Sequence, residues 1–166
     1  MRFSREREIQ SGWIVFGEPM KIPKMFKESI TKEELTDLPL RWFDGEIVVV
    51  DNFEKLESAI EILSKARVIG FDTETKPAFK KGVINKVALL QLSVKDKAFL
   101  FRVNRIGLPQ EICKILANPK IIKPGVAIND DIKALNKIQT FKPKGFVELQ
   151  DNAKTLGITN FSLKKL

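Results

Sequence analysis

Two acids one residue apart, Asp72 and Glu74, close a largely apolar stretch at residues 68–73 that reads as a strand. Side chains two apart in a strand share a face, so both carboxylates project into one small volume. At the end of a strand in an α/β sheet, that volume is typically a ligand crevice. Like charges gathered there repel unless cations hold them, and hard divalent metals take oxygen ligands. Spacing by itself carries no weight. With 21 acids in 166 residues chance supplies roughly three acid-x-acid pairs, and three occur: Glu6/Glu8, Asp44/Glu46 and Asp72/Glu74. Only the strand context singles out the last. A further acid, Asp131, sits in GVAINDDIKAL at a strand-to-helix junction. An acid in a first helical turn also interacts favourably with the macrodipole, by about 0.3–1 kcal/mol, so helix capping and chemistry both stay open for it.

Composition removes most other chemistries. The chain has no His, which excludes Ser-His-Asp and Cys-His catalysis and His-ligated zinc, and no Tyr to serve as an acid or base. Cys113 stands alone, so there is no intrachain disulfide and no cysteine-rich zinc site. Neither common phosphate-cradle motif is present. Apolar residues at 43% and charged residues at 30% describe a soluble globular chain. Its unbroken apolar runs, such as residues 47–50, are far too short to span a bilayer. The first ten residues mix Arg with Glu and have no apolar core, so they do not read as a secretory signal. A cytoplasmic protein with no membrane partner is expected. The formal charge of +8 and pI near 9.6 fit a polyanionic partner.

The elements that must position the acids follow from periodicity and turn residues. Residues 1–45 carry Pro19, Pro23 and Pro39 with clustered charge, and read as an N-terminal extension with one short helical candidate at 31–36. A domain then covers 46–166. Residues 47–50 are a buried strand. Asp51 and Glu54 make a capping-box start for an amphipathic helix with Phe53, Leu56, Ile60 and Leu63, ending near Lys65. After the strand at 68–73, a Pro/Lys/Gly-rich loop at 76–86 leads to a strand at 87–94. Lys95-Asp96 is a tight turn into a strand at 98–103, giving a hairpin. Pro109 opens a helix with Ile112, Ile115 and Leu116 on one face, closed by Asn118-Pro119. Residues 121–128 are strand-like, with Pro124 at the start or at an irregularity. Asn129 can cap a helix through about Gln139, residues 146–149 suggest another strand, and Thr155 and Ser162 suggest the start of further helices. Strand, hairpin, then alternating helix and strand make an α/β domain with a mixed sheet.

Four segments in order, VIGFDTET (68–75), KVALLQL (86–92), KPGVAINDD (123–131) and GFVELQD (145–151), resemble the DEDD 3′–5′ exonuclease domain, in the branch of RNase D and the Werner-syndrome exonuclease. The resemblance covers about residues 47–166. It implies an RNase H-like mixed β-sheet flanked by helices, and two-metal hydrolysis of phosphodiester bonds from a 3′ end. Asp72 and Glu74 match the first motif and Asp131 the second, as catalytic and metal-binding acids for two divalent ions, Mg2+ or Mn2+. In the family-like arrangement Asp72 bridges, Glu74 serves the hydroxide-forming ion and Asp131 reaches the other through water. Single-stranded or 3′-recessed nucleic acid is the implied partner. Thr73, Lys76, Phe79, Lys80, Lys81 and Lys86 are its candidate contacts, the lysines neutralising phosphates and Phe79 stacking on a base.

The family's third motif pairs a Tyr or His with a fourth Asp and has no match here. Glu148 and Asp151, the acids after Asp131, fall on a neighbouring strand segment. The chain therefore reads as an exonuclease domain incomplete at its C-terminus, with the C-terminal helices missing. Apolar sheet surface left open by them would favour self-association or a protein partner. The alternatives to turnover are an inactive nucleic-acid-binding module and a protein-docking module.

Overall fold

The computed structural model describes residues 26–75, 85–160 and 162. In chain order they form α1 (Lys32–Asp37), β1 (Glu46–Val50), α2 (Phe53–Lys65), β2 (Gly70–Thr75), β3 (Val87–Val94), β4 (Lys97–Phe101), α3 (Val103–Ile106), α4 (Gln110–Leu116), β5 (Lys123–Gly125), α5 (Ile128–Asn136), β6 (Phe146–Glu148) and α6 (Leu149–Thr155). Four strands lie side by side in the order β1-β4-β3-β2. β3 and β4 make the hairpin expected around Lys95-Asp96, β2 pairs antiparallel with β3, and β1 adds in parallel to β4. β5 and β6 form a parallel pair next to β2.

The join between these two sets of strands is decided by one residue. Ile69 N donates to Ile122 O and Ile122 N donates to Arg67 O, both at 2.9 Å, as in a parallel ladder. The next donor in that register is residue 124, a proline without an N–H, so the ladder stops there. This is the irregularity foreseen at Pro124; β5, expected over residues 121–128, is the three-residue segment Lys123–Gly125 that pairs with β6. Gly125 then lets the backbones close up. A Cβ at this position would come within 2.6 Å of Phe71 O.

The sheet has unequal faces because successive side chains alternate. Val50, Phe71, Leu90, Leu92, Phe99 and Phe101 are buried in one core with Leu56 and Leu63 of α2 and Ile112 and Leu116 of α4. Each such side chain contributes about 1.5–3 kcal/mol by leaving water. Their strand neighbours look the other way. Ile47 and Val49 remain 58% and 41% exposed. Gly70, Asp72, Gln91, Ser93, Ala98 and Leu100 help line an open groove of about 540 Å³ on that side.

A second polar feature holds the floor of the fold. Lys123 is fully buried, and its Nζ donates to the carbonyls of Ile121, Asn118 and Ile115 at 2.7, 2.9 and 3.2 Å. All three ammonium protons are thus used, on carbonyls of α4 and of the turn that follows it. The ammonium also lies 5.3 Å from the centroid of the Phe146 ring, which meets Phe71 edge-on.

Several boundaries differ from those expected. α2 is capped by Asn52, which accepts from Lys55 N at 3.0 Å, while Asp51 pairs with Lys55 Nζ instead. β2 extends to Thr75 because its pairing with β3 continues to Val87, so Asp72 and Glu74 lie inside the strand, not at its tip. α5 starts at Ile128, not after Asn129, with Ala127 as its cap. α6 begins at Leu149, ahead of the helical start expected near Thr155, and α3 was not foreseen. Ahead of β1, α1 carries a complete capping box between Thr31 and Glu34. Thr159 ties the segment after α6 to Glu28, whose carbonyl accepts from both the Thr159 amide and hydroxyl.

Candidate active site

β2 offers its side chains alternately: Asp72 and Glu74 are exposed and Thr73 between them is buried. Pairing with Gln91 and Leu89 of β3 fixes the two acids on the groove side of the sheet. The Thr73 amide donates to Asp72 Oδ1 at 2.9 Å, which restrains that carboxylate against its own backbone. On the other side of the strand the Thr73 hydroxyl donates to Asp131 Oδ1 at 2.5 Å. One threonine therefore touches an acid from each of two distant motifs.

Asp131 sits in the first turn of α5 and is partly buried. Burial pushes its carboxyl above the usual range, the Thr73 hydrogen bond pulls it down, and the charges of Asp72, Asp130 and Glu148 push it up again. Asp130 itself faces solvent and pairs with Lys133 at 2.9 Å, which lowers its own pKa. The result is a gathering of negative charge whose natural complement is a cation.

The donor chemistry of Asp72, Glu74 and Asp131 is all oxygen, as Mg2+ or Mn2+ requires. The structure brings Asp72 and Asp131 together about Thr73 and leaves Glu74 two residues along the same face of β2. Among the described residues, no three His, Cys, Asp or Glu side chains converge tightly enough to form a ready-made metal cage. Thr73, expected to contact nucleic acid, has its hydroxyl committed to Asp131. Lys86 is exposed immediately before β3, next to the Thr75–Val87 pair, at the same end of the sheet as Glu74. Lys76, Phe79, Lys80 and Lys81 lie outside the described residues.

One residue at this site had no role assigned from sequence. Glu148, at the end of β6, accepts from Ala127 N at 3.0 Å, Ile128 N at 2.9 Å and Gln150 N at 3.2 Å. The signal for it was negative. The α5 junction presents Ala127 where a Ser, Thr, Asn or Asp acceptor is normal, so the first-turn amides had to find an oxygen elsewhere in the fold.

Residues 47–166 match the family model described as 3′–5′ exonuclease. The bifunctional 3′–5′ exonuclease/ATP-dependent helicase WRN of Mus musculus is 36% identical over 134 residues, which are 76% of this chain and 10% of that protein. A putative 3′–5′ exonuclease, R431, of Acanthamoeba polyphaga mimivirus is 35% identical over 94 residues, 54% of this chain and 23% of that one. Trypanosoma brucei RNase D, solved in complex with RNA U12, aligns with a TM-score of 0.58 at 26% identity over 65% of this chain and 39% of that chain. The chain thus spans about a tenth and about a quarter of the length of these two curated relatives. The mixed sheet with flanking helices is an RNase H-like exonuclease fold. The chain belongs to the DEDD 3′–5′ exonuclease family, with relatives of the RNase D and WRN type.

Proposed function

We propose that this chain is a metal-dependent 3′–5′ exonuclease domain, hydrolysing phosphodiester bonds at nucleic-acid 3′ ends with Asp72, Glu74 and Asp131 holding two divalent ions, Mg2+ or Mn2+. The observation that carries the reading is the hydrogen bond from Thr73 to Asp131, 58 residues away, which joins the strand bearing Asp72 and Glu74 to the helix bearing Asp131. Divalent ions in such a site supply hydroxide at neutral pH and neutralise the departing 3′ oxygen. The protein's part is to hold three carboxylates where their charges need that complement. Lys76, Lys80, Lys81 and Lys86 neutralise the nucleic-acid backbone without reading sequence, and Phe79 stacks on a terminal base. The complex of the trypanosomal RNase D with RNA U12 supports a nucleic-acid substrate, single-stranded or 3′-recessed in this reading.

Turnover is expected to be slow. The chain has no Tyr and no His to orient the attacking water. A second reading, a nucleic-acid-binding module without chemistry, is favoured by that absence and by the lack of a preformed three-acid cluster among the described residues. The exposed apolar sheet face at Ile47 and Val49 is the surface for self-association or a protein partner in the same reading, and sedimentation as a clean monomer would remove the first of these. No helix among the described residues is long and apolar enough to cross a membrane; a chain with a single cysteine, Cys113, suits a reducing compartment, and the cytoplasm is the location proposed.

A gel assay on a 5′-labelled single strand and a 3′-recessed duplex, with manganese, magnesium or chelator, tests the proposal. The expected result is a ladder shrinking from the 3′ end, lost with chelator and reduced by at least about 100-fold in Asp72→Ala. Binding without cleavage in any metal selects the second reading.

A further inference from the structure

The first turn of α5 carries Asp131, yet its start is poorly provided for by its own sequence. Ala127, at the cap position, holds a left-handed conformation with φ of 57°, the one such non-glycine residue described. Its methyl group offers no acceptor to the first amides of the helix, which have no intrahelical partners. Both oxygens of Glu148 fill that role. Oε1 takes the Ala127 amide and Oε2 the Ile128 amide, while Oε1 also takes Gln150 N and so anchors the carboxylate to α6. Three N–H groups therefore engage this carboxylate, which is what separates it from Asp72, Glu74 and Asp131. Glu148 is spent on backbone rather than presented to a ligand.

We infer that Glu148 is a positioning residue for Asp131, clasping the strained start of α5 so that Asp131 stays against Thr73 and within reach of Asp72. The inference rests on the reading of Asp131 as a metal ligand. Groups that orient a ligand without touching the metal commonly change affinity by about 10–100-fold when altered.

The test is Mn2+ binding to the full chain by calorimetry, well below the melting temperature of every variant. Glu148→Gln is expected to weaken binding about 10-fold or more, and Glu148→Asp to restore part of it. Asp130→Asn removes an equal charge beside Asp131 without touching the clasp, and is expected to change affinity about twofold. Glu148→Gln binding within twofold of the parent, with only a lower melting temperature, would reduce the clasp to a structural cap and overturn the inference. An Asp130→Asn effect equal to that of Glu148→Gln would overturn it as well, since charge alone would then account for both. If the parent chain and Asp72→Asn alike bind no Mn2+, the metal reading itself fails. The clasp is then judged by the carboxyl carbon resonance of Asp131 in 13C-aspartate-labelled protein. A displacement in Glu148→Gln comparable to that in Thr73→Val supports positioning, and an unmoved resonance overturns it.

Discussion

Two charged side chains, Lys123 buried and Asp131 partly so, stand on neighbouring elements of this molecule and differ in how they are balanced. Lys123, under β5, has a backbone carbonyl for each of its three ammonium protons. Burial pulls it down to about 8, so it remains the ammonium form at neutral pH and its hydrogen bonding is complete. Asp131, on the next helix, has one hydroxyl donor, partial burial and three other carboxylates pushing against it. The first arrangement is closed and can do nothing more than hold the fold. The second is unbalanced, and an unbalanced charge is where a ligand's free energy can be gained.

Removing the closed charge should cost the most stability. Lys123→Met keeps the chain length but removes a donor from three inward carbonyls, of which those of Ile115 and Asn118 keep a backbone N–H, so unfolding in urea should show a loss of about 1–3 kcal/mol. A loss under 1 kcal/mol would mean that water or backbone shifts replace the ammonium, and that the two regions are less different than drawn.

The unbalanced charge should respond in the opposite sense. The folded-state pKa of Asp131 stands above its ordinary value, so the ionised carboxylate weakens the fold at neutral pH, and stability is gained as pH falls through the folded value toward the unfolded one. Asp131→Asn keeps an acceptor for Thr73 and removes the charge, and should raise stability at pH 7 by roughly 0.5–1 kcal/mol while disabling metal binding. Thermal melts at pH 7 and at pH 4.5 should show the gap between variant and parent narrowing in acid. A gap independent of pH would mean that packing, not charge, sets it.

The smallest effect concerns the backbone between the two regions. Ala127 holds a conformation that costs an L-residue about 1 kcal/mol, and Glu148 holds it there. Ala127→Gly relieves that strain, offset in part by a more flexible unfolded chain, so a net gain of roughly 0.5 kcal/mol is expected in the same urea titration.

Much of this was legible from residues alone. The strand carrying Asp72 and Glu74, the Lys95-Asp96 hairpin, the helix after Asn52 and the helix after Pro109 follow from local periodicity and turn chemistry, which are properties of adjacent residues. Pro124 announced an irregularity because a missing N–H is a covalent fact. The absence of His and Tyr is equally a matter of sequence. Two contacts belonged to the tertiary structure. Glu148 caps a helix that begins 20 residues before it, and Thr73 reaches an acid 58 residues on. Each is a hydrogen bond between groups that the chain brings together only by stacking β2, β5 and β6 side by side. No window along the sequence contains both partners, so composition and spacing named the acids, and the packing of the sheet decided which of them were held, which were neutralised and which were left wanting a cation.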